Sequence, residues 1–104
     1  HGSATRAAYA AAKAGMVQFT RSVAAEWAPH GVRVVALAPG RTLTPMTAPL
    51  LSTKEQRLEG LKHIPAGRYG SREEMAKLTL MLASDMASYV VGETLIADGG
   101  YVLL

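Results

Sequence analysis

The 104-residue sequence lacks cysteine, holds few aromatic residues and contains no long hydrophobic run. Without cysteine, a disulfide scaffold, thiolate metal ligands and a cysteine nucleophile are excluded, and the composition suits a reducing cytoplasm. The longest uninterrupted apolar run, Ala7 to Ala12, is far shorter than the roughly 20 residues that span a bilayer. We therefore expect a cytoplasmic protein with no membrane segment.

Basic residues outnumber acidic ones by 11 to 8, but they are spread along the sequence and form no cluster. Nucleic-acid-binding proteins gather Lys and Arg in one patch and interleave aromatic residues for base stacking. This sequence does neither, so we expect no nucleic-acid partner. The three histidines, His1, His30 and His63, are too scattered to predict a metal site.

Hydrophobic periodicity predicts the order helix, strand, loop, helix, strand. The predicted segments are a long helix from Ala4 to Trp27, a strand from Val32 to Ala38, a loop from Arg41 to Pro49, a weakly helical stretch from Leu50 to His63, a helix from Ser71 to about Ala83, and a strand from Glu93 to Ala97. The first strand is nearly all apolar, as in strands buried on both faces of a parallel sheet. Two such strands with a helical crossover need further strands beside them. We therefore predict part of a larger α/β sheet.

Tyr9 and Lys13 lie four residues apart in the long predicted helix, so their side chains share one face. An ammonium beside a phenol stabilises the phenolate and prepares the hydroxyl for proton transfer near neutral pH. The same spacing also occurs between surface residues without a chemical role. Spacing alone favours that second interpretation.

Polar residues follow the first predicted strand directly, in the order Pro39, Gly40, Arg41, Thr42, Leu43 and Thr44. Ligands of open α/β sheets bind beyond the carboxyl ends of the strands, where this loop is expected. Glycine lets a flat ring approach the backbone, and the loop amides and hydroxyls can bind polar groups. Taken alone, the segment is more typical of a plain turn than of a ligand site. The Asp98-Gly99-Gly100 stretch is interpreted as a tight turn.

Seven stretches follow one another in a specific order: Tyr9-Ala-Ala-Ala-Lys13-Ala-Gly15, Glu26 to Val34, Ala38-Pro39-Gly40, Pro65 to Gly70, Glu73 to Ala76, Leu82 to Gly92 and Asp98-Gly99-Gly100. Together and in this order, they resemble the motifs of the classical short-chain dehydrogenases/reductases. The resemblance covers almost the whole sequence, and the ordered set is highly specific. It implies a Rossmann-like doubly wound parallel sheet.

The resemblance implies NAD- or NADP-dependent hydride transfer between the cofactor and a small alcohol or ketone. Tyr9 is then the catalytic acid and base, and Lys13 activates it and holds the nicotinamide ribose. Pro39 and Gly40 lie near the nicotinamide, Thr42 meets the carboxamide through its backbone, and Thr44 adds a hydroxyl. The cofactor-binding set is thus Tyr9, Lys13, Pro39, Gly40, Thr42 and Thr44.

The family also implies a substrate lid, here residues 41–63, with Gly40, Leu43 and Met46 as substrate-binding residues. Family members commonly form homo-oligomers through the long tyrosine helix and the last helix-strand pair. We therefore expect a homo-oligomer, a dimer or tetramer.

Several family elements are missing from the sequence. The glycine-rich cofactor loop, the residue that selects the cofactor, the Asn-Ala-Gly element and the catalytic serine all precede the tyrosine in the family. Ser3 is too close to Tyr9 to take the role of that serine. Residues 1–104 are therefore expected to be the C-terminal segment of one Rossmann-like domain, inactive alone. The alternative is a non-catalytic oligomerisation fragment of such an enzyme.

Overall fold

The computed structural model describes residues 6–104 and contains three α-helices and two β-strands within that range. Their bounds are α1 Ala7–Trp27, β1 Ala36–Pro39, α2 Lys54–Leu61, α3 Arg72–Ala83 and β2 Thr94–Ala97. Short 3-10 turns occupy Ala28–His30, Ala48–Leu51, Asp85–Ala87 and Tyr101–Leu103. The predicted order of helices and strands is confirmed. The predicted start of α1 at Ala4 lies outside the described residues.

β1 and β2 form a parallel two-stranded sheet. The Ala36 amide donates to the Glu93 carbonyl, and the Gly40 amide donates to the Ala97 carbonyl, each at 2.9 Å. Both hydrogen bonds advance by four residues in the same direction along each strand, as parallel pairing requires. The predicted α/β class is therefore confirmed.

β1 is shorter than the predicted strand from Val32 to Ala38. The Val32 amide still bonds to the Trp27 carbonyl at the end of α1. The Gly92 amide already donates to the Val34 carbonyl at 2.8 Å, but the regular strand starts at Ala36. The expectation of a strand buried on both faces is wrong for the described residues, since Ala36–Ala38 are half-buried. Few large side chains cover a sheet of two strands.

The described residues form two compact units. The first holds the residues up to Leu37 together with Met81–Leu95, and the second holds Ala38–Leu80 and Ile96–Leu104. β1, β2 and α3 each have residues in both units.

In the first unit, the small residues of α1 are buried and its large apolar residues are exposed. Thr20 and Ala24 are buried, and the Thr20 hydroxyl donates to the Met16 carbonyl at 2.8 Å. A Cβ at Gly92 would lie 3.4 Å from the Ala24 Cβ, so this helix face packs closely. Helical spacing predicts an apolar stripe on α1 that includes Phe19, but this residue is 60% exposed.

Arg33 holds the end of α3 within the same unit. Its Nη1 donates to the Leu82 carbonyl at 2.9 Å, and its Nη2 donates to the Ser84 carbonyl at 3.0 Å. The last carbonyls of a helix have no partners inside it, and a cation there also faces the negative end of the helix dipole. One guanidinium therefore satisfies two acceptors at the end of α3.

In the second unit, two capping boxes begin the helices. The spacing of Ser71 and Glu74 in the sequence predicts the box at α3. It is confirmed, since the Ser71 hydroxyl accepts from the Glu74 amide and the Glu74 carboxylate accepts from the Ser71 amide, both at 3.1 Å. Thr53 and Gln56 form the same reciprocal pair at α2. Each box satisfies amides that the first turn of a helix leaves unpaired.

Candidate active site

Tyr9 and Lys13 lie on one face of α1, as their spacing predicts. The Lys13 ammonium is 5.4 Å from the centre of the Tyr9 ring, and the Arg6 guanidinium is 5.0 Å from it. Tyr9 is 57% exposed. An accessible phenol therefore has two positive charges beside it.

Gly40 packs against Asp98 beyond the carboxyl ends of the two strands. A Cβ at position 40 would overlap the Cα of Asp98. The sequence analysis explained this glycine by the approach of a ligand ring, whereas the structure shows that protein packing already requires it. Pro39 is the last residue of β1 and is exposed.

Asp98 does more than form the predicted tight turn. Its Oδ1 accepts from the Gly100 amide at 2.8 Å, and its Oδ2 accepts from the Val102 amide at 3.0 Å. Both oxygens therefore hold the chain that follows β2. An aspartate before two glycines at a strand end is the available signal for this role, since Asp side chains bond to amides a few residues ahead.

Thr42 presents its backbone rather than its side chain. The residue is buried, its hydroxyl donates to the Gly40 carbonyl at 3.1 Å, and its carbonyl accepts from the Thr47 hydroxyl at 2.8 Å. The Thr42 amide takes no part in the hydrogen bonds formed among residues 6–104. It is therefore the polar group that Thr42 has available for a ligand.

Thr44 forms hydrogen bonds with Thr47, a residue to which the sequence predictions gave no role. The two hydroxyls are 3.2 Å apart, and the Thr47 hydroxyl accepts from the Thr44 amide at 2.9 Å. A threonine three residues after another is a known signal for such a local side-chain turn. Thr47 therefore fixes the loop in which Thr42 and Thr44 lie.

A cavity of about 680 Å³ opens in the second unit between this loop and α2. Its walls include Arg41, Thr42 and Thr47 from the loop and Gln56, Glu59 and Gly60 from α2. The volume is within the range of about 300–1,000 Å³ that small-molecule sites occupy. All the lining residues lie within the predicted lid, residues 41–63, although neither Arg41 nor the α2 residues were predicted individually as substrate contacts.

The predicted substrate residues Leu43 and Met46 are not among the residues that line this cavity. Leu43 lines a separate depression with Pro45 and Arg57. Met46 is 86% exposed. Gly40, the third predicted substrate residue, packs on Asp98 as described above.

The chain matches a protein-family model described as Enoyl-(Acyl carrier protein) reductase over residues 1–102. The chain belongs to the short-chain dehydrogenase/reductase family. A 3-oxoacyl-(acyl-carrier-protein) reductase of Chlamydia pneumoniae is 48% identical over 99 residues, which are 95% of this chain and 39% of that protein. The 3beta-hydroxysteroid dehydrogenase 1 of Eggerthella lenta is 45% identical over 95 residues, which are 91% of this chain and 36% of that protein.

Solved structures of the family superpose closely on the chain. A Pseudomonas aeruginosa RhlG complex with NADP gives a TM-score of 0.86 at 34% identity and covers 91% of this chain and 37% of that one. A 4-hydroxyisoleucine dehydrogenase complexed with NADH gives a TM-score of 0.90 at 26% identity. This match covers 94% of this chain and 40% of that one. The chain thus has part of a Rossmann-like fold, as predicted, and spans about two fifths of the length of these relatives.

Two ion pairs shape the charges of the second unit of this short-chain dehydrogenase/reductase chain. Arg68 binds both carboxylate oxygens of Glu74, at 2.7 and 2.8 Å. This pair and the Ser71 amide lower the pKa of Glu74 to about 2. Lys62 bonds to Glu59 at 2.6 Å and lowers the pKa of that cavity carboxylate.

Two kinds of site are not found in the described part of the chain. Residues 6–104 hold no group of three or more His, Asp or Glu side chains that could bind a metal ion. No helix in that range is long and apolar enough to cross a membrane.

Proposed function

We propose that this chain supplies the proton-transfer residues and the substrate lid of an NAD- or NADP-dependent oxidoreductase for alcohols and ketones. The observation that carries the proposal is the exposed Tyr9 phenol with the Lys13 ammonium 5.4 Å from its ring on one helix face. Membership of the short-chain dehydrogenase/reductase family supports it, because the matched relatives are named as reductases and dehydrogenases.

Tyr9 is proposed as the general acid and base. When bound, the nicotinamide cofactor supplies or accepts the hydride at the substrate carbon. In reduction, the Tyr9 hydroxyl donates its proton to the carbonyl oxygen, and in oxidation the phenolate takes the proton from the alcohol. The Lys13 ammonium stabilises the negative charge that this transfer leaves on the phenol oxygen.

The donor groups of the chain are chemically suited to a nicotinamide nucleotide. Lys13 is an exposed ammonium that can bind ribose hydroxyls, and the uncommitted Thr42 amide can bind a carboxamide oxygen. Thr44 adds a half-buried hydroxyl, and the exposed Pro39 ring and the Gly40 backbone offer an apolar surface for the nicotinamide ring. Related structures contain NADP or NADH, so we propose either cofactor.

The substrate is proposed to be a small alcohol or ketone covered by residues 41–63. The names of the relatives indicate different carbonyl and alcohol compounds, including a 3-oxoacyl-(acyl-carrier-protein) and a 3beta-hydroxysteroid. Gly40, just before this segment, and Leu43 and Met46 within it stay the proposed substrate contacts. We expect the reaction to take place in the cytoplasm.

Exposed apolar residues on α1 favour a second role in assembly. Met16, Phe19 and Trp27 are each about half or more exposed on this helix, and apolar surface of this kind is typical of interfaces. We propose that the protein forms a homo-oligomer through this face. Sedimentation of Phe19→Ser should show a smaller species than the wild-type protein, and an unchanged mass would contradict the proposal.

Kinetics of Tyr9→Phe test the catalytic proposal. Removal of one hydroxyl should lower kcat by about a hundredfold or more, the scale of general acid-base catalysis. Cofactor binding, measured by fluorescence titration with NADH and NADPH, should change little. A normal kcat would refute the role of Tyr9.

A further inference from the structure

Tyr69, which lies outside the 41–63 segment, forms a hydrogen bond to the helix α2. Its hydroxyl donates to the carbonyl of Arg57, in the middle of α2, at 2.8 Å. Gly60 of the same helix is buried, and a Cβ there would overlap the Tyr69 hydroxyl. The absence of a side chain at Gly60 thus lets the phenol reach the helix.

Gly70, the next residue, forms backbone hydrogen bonds with the loop after β1. Its amide donates to the Arg41 carbonyl at 3.0 Å, and its carbonyl accepts from the Leu43 amide at 3.0 Å. Thr42 and Gly70 form a parallel β-bridge through these bonds. Two consecutive residues, Tyr69 and Gly70, therefore hold the helix and the loop at a fixed separation.

The 680 Å³ cavity lies between these two fastened elements. Thr42 and Thr47 line it from the loop, and Gln56 and Gly60 line it from α2. Its width therefore depends on how far α2 lies from the Thr42–Gly70 bridge. The Tyr69 hydroxyl fixes that distance directly.

We propose that Tyr69 is a positioning residue that sets the width of this cavity and thereby determines how tightly a ketone or alcohol substrate is held. This inference rests on the function proposed above, and it adds the walls of this cavity, which lie within residues 41–63, to the substrate contacts proposed there. Tyr69 acts through α2 and does not take part in the proton transfer.

Tyr69→Phe removes the hydroxyl and keeps the ring. A hydrogen bond of this kind corresponds to about a fivefold change in an equilibrium constant. Hydrogen exchange of the α2 amides should therefore become about fivefold faster in the full-length protein. The kinetic substrate is the ketone that the wild-type protein reduces fastest among butanone, cyclohexanone and ethyl acetoacetate. For that ketone, KM should rise about fivefold and kcat should stay unchanged.

Tyr89→Phe is the matched control, because Tyr89 is 99% exposed. It should leave both exchange and KM at wild-type values. Gly60→Ala is the second variant, and it should raise α2 exchange and KM more than Tyr69→Phe does, because a methyl group there displaces the phenol.

Two results would overturn the inference. Unchanged α2 exchange in Tyr69→Phe would show that the hydroxyl does not hold the helix. Faster exchange with unchanged KM would show that the cavity width does not control substrate binding. The exchange measurement needs no turnover, so its outcome is independent of whether Tyr9 is the catalytic acid.

Discussion

Gly40 lies against Asp98 so closely that a Cβ at position 40 would be 3.2 Å from the Asp98 carbonyl carbon and would overlap its Cα. The Gly40 amide also donates to the carbonyl of Ala97, the residue before Asp98, at 2.9 Å. The backbone after β1 is therefore fixed on the backbone after β2. This contact positions the start of the loop that carries Thr42 and Thr44.

Gly40→Ala is expected to destabilise the protein. The added methyl group meets backbone atoms, which cannot turn away as a flexible side chain can, and overpacking of this kind costs about 1–3 kcal/mol. Urea denaturation of the full-length protein should show a lower midpoint. An unchanged midpoint would show that the backbone at Gly40 moves away from Asp98 without lowering the free energy of unfolding.

Gly15→Ala is the matched control for that substitution. Gly15 lies inside α1, and a Cβ there meets nothing within 4 Å among the described residues. Alanine is favoured over glycine in a helix by roughly 1 kcal/mol. We expect this variant to raise the urea midpoint, so the two glycine substitutions should have opposite signs.

Arg33→Lys should weaken the end of α3. A lysine ammonium lacks the planar fork that lets Arg33 bond to the Leu82 and Ser84 carbonyls together. Loss of one such bond from a charged donor should lower the free energy of unfolding by about 1–2 kcal/mol. Arg21→Lys is the control, because the Arg21 guanidinium forms no hydrogen bond within residues 6–104. Equal stability of both variants would contradict the capping role.

Glu74 makes stability depend on acidic pH. Its pKa is lowered from 4.5 to about 2 by Arg68 and by the Ser71 amide, so the unfolded chain binds a proton more readily than the folded one. The contribution of Glu74 is therefore complete above about pH 4.5 and is lost as the pH falls towards 2.

Urea denaturation between pH 7 and pH 2 measures that contribution. Glu74→Gln should be less stable than the wild-type protein at neutral pH, and the difference should shrink as the pH falls below about 4.5. Glu73→Gln is the control, since Glu73 lies in the same first turn of α3 without an ion pair in the described range. A stability difference between the wild-type protein and Glu74→Gln that does not change with pH would contradict the lowered pKa of Glu74.

The sequence predicts elements that local chemistry determines. The Ser71 capping box places the start of α3, and the helical spacing brings Lys13 beside Tyr9. It does not predict contacts that depend on distant segments. Periodicity alone does not reveal that Phe19 is exposed while Thr20 is buried, because that depends on which segments pack against α1.

Part of the candidate site was also out of reach of sequence patterns. The packing of Gly40 on Asp98 joins residues 58 positions apart in the sequence, and no local pattern encodes such a contact. The Thr53 and Gln56 capping box, in contrast, has the recognisable spacing of three and gives the start of α2. The contacts of Tyr69 with Arg57 and of Gly70 with Arg41 join separate segments as well, and only the three-dimensional structure shows them.

The most direct test of the account is the kinetics of Tyr9→Phe beside Tyr89→Phe in the full-length protein. Both variants remove one hydroxyl from an exposed tyrosine, but only Tyr9 has the Lys13 ammonium beside its ring. For Tyr9→Phe, kcat is expected to fall by about a hundredfold or more, with NADH and NADPH affinities unchanged. Tyr89→Phe is expected to behave as the wild-type protein. A Tyr9→Phe variant with a normal kcat would contradict it.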